Sequence, residues 1–597
     1  VPNLRQRRFL RMRGPLLPGE RMRGTRGVGH AVAFGAIPES PVLPKDVWDA
    51  DDDSRDEGME EDTWADALHA ADGLHLSNRG DVWLIPDEPE GTWLNFKTLW
   101  SYSGPGFLMC IAYLDPGNLE ADLQTGAYTG FQLLWVLLTA HLLGLVLQAM
   151  AARLGAVTGT HLADLCRQHY PQGAGVLLWV MTELAIIGSD IQEVLGSAIA
   201  FQILLGIPLW AGCIVTAIDT FTFLFMHVFG VRKLEGLFVF LVSIMTVAFF
   251  INYGRDPPAT KEVLGGLVPG MESNALVTAL GLIGAVIMPH NIYLHSALVL
   301  SRAIDRTSPK KIWEANKYFA LDSMVALGVA FFINLAVVGT FANAFYDPQC
   351  AHGKPPAACL TGEAMDPSRE SFGTCVGGAG GGEAGVCQEI GLSSAGLALK
   401  VSLGSAAKYV WAVGLLAAGQ SSTMTGTYAG QFVMEGFLQL KIARWQRVLL
   451  TRGIALGPAL LVSLLVNSDS GATDEMNGWL NVLQSLCLPF AIIPLLHLVS
   501  SSQIMGEFQI GLSLASLLWL LSLGVIGVNI YIVGGFLVEA GTETESMTAQ
   551  GFLFAFVALA GVLYLGFCAY LMQTDLQKFS RAVRAVLCGG SSDGQGG

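Results

Sequence analysis

Charge is scarce in this sequence. Only 14% of its 597 residues are Asp, Glu, Lys or Arg, while 52% are hydrophobic. Soluble domains carry about 25% charge. That shortage, with a mean hydropathy of +0.49, excludes an ordinary soluble protein and points to a polytopic membrane protein. Positive charge is the scarcer sign, and the formal net charge of −15 argues against a nucleic-acid partner. Much of the excess negative charge lies in one stretch, residues 46–62 (DVWDADDDSRDEGMEED), read as a solvated tail. None of the ten cysteines forms a Cys-x-x-Cys pair, and no Asn-x-Ser/Thr sequon occurs in residues 346–394.

Residues 1–95 read as a polar cytosolic arm. Its first thirty residues are Arg-rich and nearly free of acids (Arg5, Arg7, Arg8, Arg11, Arg13, Arg21, Arg23, Arg26), with no evident secretory signal. That composition suits an organelle transit peptide or a disordered basic tail. Apolar runs then follow at 100–125, 131–154, 174–204, 208–228, 235–253, 274–300, 318–345, 395–437, 447–466, 477–500, 511–536 and 549–573. A bilayer core of about 30 Å needs about 20 helical residues, so these make twelve expected spans in a transporter domain over 96–575. The third and eighth are long enough to be tilted or bent. Residues 576–597 read as a cytosolic tail.

Loop charges orient the chain. With the N-terminus cytosolic, basic clusters fall after spans 4, 6 and 8: Arg232 and Lys233; Arg302, Arg306, Lys310, Lys311 and Lys317; Lys441, Arg444 and Arg447. The opposite loops are acidic: Asp469, Asp474 and Glu475, then Glu539, Glu543 and Glu545. Both termini are expected in the cytosol, and the Gly-rich loop 346–394 outside. Its Cys350, Cys359, Cys375 and Cys387 could form two disulfides, with three connectivities open, or remain free thiols.

Two spans carry a break in mid-membrane. Span 1 runs into Asp115-Pro116-Gly117-Asn118, and span 6 into Met288-Pro289-His290-Asn291. Proline removes a backbone donor and clashes with the preceding turn. In lipid, irregular backbone survives only where protein or a cavity surrounds it, and paired interrupted spans point to a transporter's binding site. A five-span repeat has odd length, so placement of the breaks predicts inverted 5+5 repeats with spans 11 and 12 appended. Asp115 offers a hard anionic oxygen, Asn118 a neutral one, Met288 a soft thioether, and the carbonyls of Ala112 and Ala285 complete a shell. Mixed O and S donors suit a transition metal; calcium and magnesium want oxygen alone. The bland reading of Met288 is core packing. Gln484, with Asn481 in span 10, either joins the shell or is polar glue between helices.

Other ionisable groups read as a proton path. Glu183, Asp190 and Glu193 fall on one face of span 3; a buried carboxyl holds its proton more tightly and exchanges it near neutral pH. His290 and His295 on span 6 belong to a residue type that switches near pH 7, and Arg452 on span 9 is a counter-charge. The competing reading is a structural ion-pair network. Import fits the energetics: a divalent ion moving inward gains about 2.3 kcal/mol per charge per 100 mV.

The two break motifs, with His290-Asn291-Ile292-Tyr293-Leu294-His295, the stretch Gly419-Gln420-Ser421-Ser422-Thr423-Met424-Thr425-Gly426-Thr427-Tyr428-Ala429-Gly430-Gln431, and Gln484-Ser485 before Leu488-Pro489-Phe490-Ala491, resemble those of the Nramp (natural resistance-associated macrophage protein) family over residues 95–575. The resemblance implies an all-α, LeuT-like fold with broken helices 1 and 6. It implies that Asp115, Asn118, Met288 and the Ala112 and Ala285 carbonyls bind Mn²⁺ or Fe²⁺, and that Glu183, Asp190, Glu193, His290 and Arg452 serve protons. Twelve spans and the long loop look eukaryotic. Family members that carry magnesium lack the methionine, so a transition metal is implied here.

The expected function is a proton-coupled symporter importing Mn²⁺, Fe²⁺ and allied ions such as Cd²⁺, Co²⁺ or Zn²⁺ by alternating access. It would need no cofactor, work as a monomer, and sit in the plasma, endosomal or vacuolar membrane. A metal sensor on the same fold is the alternative; it would lose ligands or carry a large output domain. A sodium-coupled amino-acid symporter would not need Asp115 or Met288, and no catalytic constellation supports an enzyme.

Overall fold

The computed structural model describes residues 83, 85, 94–226, 231–272, 275–353, 356–367, 369–377, 383–439, 444–465, 470–543 and 547–588. The Arg-rich start and the acidic stretch lie outside them. The described residues are mostly helical. Nineteen helices of seven residues or more follow in order among the described residues. They are α1 (Phe96–Tyr102), α2 (Pro105–Ile111), α3 (Pro116–Thr129), α4 (Leu134–Thr158), α5 (Leu162–His169), α6 (Gln172–Leu205), α7 (Leu209–Met226), α8 (Val231–Arg255) and α9 (Thr260–Gly266). After them come α10 (Leu276–Val286), α11 (Pro289–Leu298), α12 (Pro309–Phe345), α13 (Leu392–Leu403), α14 (Ser405–Leu438), α15 (Arg444–Leu465), α16 (Ser470–Cys487), α17 (Pro489–Val499), α18 (Leu512–Glu543) and α19 (Met547–Cys588).

Eight helical segments, among the described residues, are long and apolar enough to cross a membrane. They coincide with expected spans 2, 3, 5, 6, 7, 10, 11 and 12. Span 1 is missing from that set because it is broken into α2 and α3. Span 8 is missing because its interior is polar, through Gln420, Ser421, Ser422, Thr423 and Thr425. The chain is an integral, multi-pass membrane protein with spans 1 and 6 broken where the prolines predict.

Several boundaries differ from expectation for local reasons. Span 8 is two helices, α13 and α14, parted at Gly404 with φ of 91°; only a residue without a side chain takes that conformation cheaply. Span 3 is one unbroken helix, α6. Span 10 turns at Leu488 where Pro489 opens α17. Two short helices, α5 and α9, went unforeseen, and α19 runs past the expected end of span 12 to Cys588. Part of the polar arm is docked: Trp83 pairs with the chain after α11, its N–H donating to Ser301 O at 2.8 Å and its carbonyl accepting from Ala303 N–H at 3.0 Å.

The loop after α12 is a small folded unit. Strands β1 (Ala358–Thr361), β2 (Thr374–Gly377) and β3 (Glu383–Gln388) form an antiparallel sheet in the order β1-β3-β2. Disulfides join Cys350 to Cys387 and Cys359 to Cys375. Cys359 and Cys387 face each other across β1 and β3, yet each bonds a cysteine elsewhere. Three of these sulfurs lie within 4.8 Å of one another. Being bonded as disulfides, they offer a metal no thiolate.

Helix packing sets the site. The broken spans pack reciprocally: α10 lies against α3, and α11 against α2. First half on second half is what two antiparallel helices give, as an inverted repeat requires. Around them, α12 covers α2 and α3, α14 packs along α6 and α8, and α16 crosses α6 and α10. The appended α18 and α19 pack on α17.

Candidate functional site

The first break is gradual. Helix α2 ends in tight turns, Tyr113 N–H donating to Cys110 O and Leu114 N–H to Ile111 O. Asp115 then caps α3 in an extended conformation, accepting from Asn118 N–H at 3.0 Å, with Pro116 in the first turn. The Asn118 side-chain amide donates to the same oxygen. One oxygen of the carboxylate is thus used to rebuild the helix. The other carboxylate oxygen, Asp115 Oδ2, and Asn118 Oδ1 are buried with no protein hydrogen-bond partner.

The second break is abrupt. Helix α10 ends at Val286, Ile287 and Met288 are extended, and α11 starts at Pro289 with no side-chain cap. Met288 is buried. Both breaks strand a carbonyl for one reason. In a helix the carbonyl of residue i takes the N–H of i+4. For Ala112 and Ala285 that residue is Pro116 and Pro289, which has none.

Helix α16 ties the breaks together. Asn481 Nδ2 donates to Gly117 O at 3.4 Å. On the other side, Asn481 O lies 3.0 Å, and Ser485 Cβ 2.9 Å, from where a Cβ on Gly284 would stand. A side chain at Gly284 would therefore push α10 off α16. Gln484 Nε2 donates to Gln192 Oε1 at 2.7 Å, and Gln192 Nε2 donates to Asn481 Oδ1 at 2.8 Å. Gln484 Oε1 is left buried without a protein partner. The polar-glue reading of Gln484 thus holds for its nitrogen, while its oxygen is spare. Buried polar atoms nearly always find a partner, so the spare oxygens of Asp115, Asn118 and Gln484, on elements that Asn481 ties together, are donors able to hold a cation, as are the Ala112 and Ala285 carbonyls and the Met288 thioether.

Sequence reasoning missed Gln192, which lies between Asp190 and Glu193 on α6. It also missed Asp122 and Thr125, buried residues of α3 whose side-chain oxygens lack protein partners. Asp122 falls two turns beyond Asp115, which was the available signal.

The residues expected to serve protons separate into groups. Glu183, Asp190 and Glu193 are all buried on α6. Glu193 Oε1 accepts from Ser189 at 3.2 Å. Helix α14 approaches through Gly426, where an added Cβ would stand 2.8 Å from Asp190 Oδ1 and 3.2 Å from Glu193 Oε1. His290 is buried with Nδ1 unpartnered in the protein. His295 is turned to α4 instead, its Nδ1 2.9 Å from Gln148 Oε1. Arg452 lies on α15, and its side chain is outside the described residues. The unwound backbone is held by Asn334, which donates to Tyr113 O at 2.9 Å and sits 3.4 Å from His141 Nε2.

A sequence profile described as "Natural resistance-associated macrophage protein-like" matches residues 106–534. The chain belongs to the Nramp family. It is 49% identical over 466 residues to the metal transporter nramp1 homolog of Dictyostelium discoideum, covering 77% of this chain and 80% of that protein. It is 47% identical over 500 residues to natural resistance-associated macrophage protein 2 of Mus musculus, covering 82% and 83%. A mutant form of the Eremococcus coleocola manganese transporter superposes with a TM-score of 0.70 at 29% identity, covering 85% of this chain and 100% of that one. Nramp proteins are membrane transporters and not a class of enzyme.

Proposed function

We propose that this protein is a proton-coupled importer of divalent transition metals, Mn²⁺ or Fe²⁺ first among them, working by alternating access around the two breaks. Relatives named as metal transporters, and a structural neighbour named as a manganese transporter, support metal as the cargo. The observation that carries the reading is the pair of unpartnered oxygens, Asp115 Oδ2 and Asn118 Oδ1, buried beside a stranded carbonyl. Met288 adds the soft donor that favours Mn²⁺ and Fe²⁺ over Ca²⁺ and Mg²⁺. Gln484 Oε1 completes the shell when α16 closes on the breaks.

Protons follow a separate route in this reading. Asp190 and Glu193 receive them beside Gly426, Glu183 lies further along α6, and His290 is the member on the broken helix; Arg452 supplies counter-charge, and His295 serves through Gln148. One carboxylate does not hold a proton and a divalent ion together, because metal binding expels the proton. Asp115 is where the two cargoes compete. The basic loops support a reading with both termini in the cytosol and the disulfide loop outside, in a plasma, endosomal or vacuolar membrane, with the protein active as a monomer.

Proteoliposome uptake of Mn²⁺ under an inward proton gradient, with excess Ca²⁺ as competitor, tests the reading on wild type and Met288→Ala. Wild type should import Mn²⁺ despite the calcium, and the variant should lose that discrimination. A wild type that imports no metal under any gradient would leave the non-transporting sensor as the better reading.

A further inference from the structure

Arg369 ties the disulfide loop to α16. Arg369, its side chain only 7% exposed, donates Nη2 to Asp474 Oδ2 at 3.1 Å and Nη1 to Glu389 O at 3.0 Å. Asp474 lies in the first two turns of α16, ahead of its membrane-crossing part, and is itself 4% exposed. It also accepts from Ser393 Oγ, at 3.0 Å to each oxygen. Burial pushes its carboxyl up to about 6, with Arg369 pulling the other way.

Ser393 belongs to the N-terminus of α13, which broken span 1 grips from the opposite side. Leu392 N–H donates to Glu120 Oε2 at 2.7 Å, and Gln124 Nε2 donates to Glu120 Oε1 at 2.7 Å. One turn further along α3, Tyr128 accepts from Ile390 N–H at 3.1 Å and donates to Ile390 O at 3.2 Å. Gly391 sits between the two grips, and a Cβ there would lie 2.1 Å from Asp474 Cγ. Two acidic side chains on one helix N-terminus suit its positive dipole end. The partners come from α3, α13, α16 and the stapled loop, and hydrogen-bonded pairs among them are separated by up to 272 residues in sequence.

We infer that this arrangement is a clasp on the outer mouth of the transport path. Arg369, braced by the disulfide-stapled sheet, is a positioning residue that holds the far ends of α3 and α16 together through the N-terminus of α13. The inference rests on the alternating-access reading above. The clasp favours the state closed to the outside, and it opens when α3 and α16 move apart to admit metal. Arg369 touches no cargo; it acts by biasing which state is populated.

The test uses the full chain in proteoliposomes, as wild type, Arg369→Ala, Arg369→Lys and Glu363→Gln. Glu363 lies in the same loop but pairs at 2.6 Å with Lys400 in the last turn of α13, at the opposite end of that helix from the clasp. Two readouts are taken: Mn²⁺ uptake split into KM and maximal rate, and amide exchange over residues 389–395 and 470–477 against β1–β3. Arg369→Ala should speed exchange in the two clasp segments by about tenfold, the scale of a typical coupling between sites. Maximal uptake should fall by a similar factor while KM is unchanged or lower, because the open state still binds metal but closes poorly. Arg369→Lys should recover part of both, and Glu363→Gln should match wild type. Uptake and clasp exchange like wild type in Arg369→Ala would overturn the inference. So would faster exchange confined to β1–β3, since Arg369 would then only stiffen the loop. Failure of wild-type uptake would strike the transporter reading, and the exchange data would still judge the clasp.

Discussion

The two breaks look alike in sequence and differ in construction. At the first, four residues unwind, and the charged residue Asp115 doubles as the helix cap. At the second, two residues unwind, no side chain caps α11, and the polar candidate is an uncharged thioether. The contrast follows from charge. A carboxylate inside a membrane needs donors, and the first turn of α3 supplies them. A thioether needs none, so Met288 tolerates an abrupt break among apolar neighbours. In the proposed site, the first break thus couples binding to local stability, whereas the second offers its donor without structural duty.

The largest expected effect separates those duties at Asp115. Asp115→Ser keeps an oxygen that caps α3 but removes the charge; Asp115→Ala removes both. Uptake of Mn²⁺ should fall below detection in each, while a melting curve should show only the alanine variant destabilised, by about 1 kcal/mol. Equal melting loss in both variants would break the comparison, because the charge itself would then hold the helix.

A smaller effect is expected from the prolines. Pro289→Ala returns the N–H that the Ala285 carbonyl lacks, and a two-residue break can then close. Pro116→Ala does the same for Ala112, but four residues there are already turned away. Uptake should fall about tenfold in the first, the size of one recovered hydrogen bond, and less in the second. The reverse order would show that the first break is the one held open by its proline.

The smallest effect is on α16. Gln192→Leu removes the partner of Gln484 and of Asn481. Mn²⁺ uptake should retain its maximal rate within about threefold, with KM raised, since the network orients a ligand and carries no charge. Unchanged KM would mean that Gln484 is held by packing alone.

Much of the architecture was legible from local chemistry. Proline and glycine among apolar residues are enough to locate both breaks, and the 3.6-residue period is enough to put Glu183, Asp190 and Glu193 on one buried face. Less was legible where distant segments meet. Nothing near Gln192 marks it as the partner of Gln484, because the two are 292 residues apart. Gly404 divides span 8 through a backbone angle that its apolar surroundings conceal. His295 sits in the same motif as His290 but turns to Gln148, since successive residues of a helix face different neighbours.

The sequence by itself determined where the helix must break and which carbonyls lose their donors, because a missing N–H is a covalent fact that no packing restores. It also determined that the chain belongs in a membrane, since 14% charged residues and a series of apolar runs about 20 residues long cannot make a surface that water solvates. Only the tertiary structure decided which polar groups share a site. It chose Cys350 with Cys387 and Cys359 with Cys375 from three connectivities, brought Asn481 against both breaks, and set Arg369 on Asp474. The physical reason is distance along the chain: the energy of such contacts is paid back only after long loops close, so no local pattern records them.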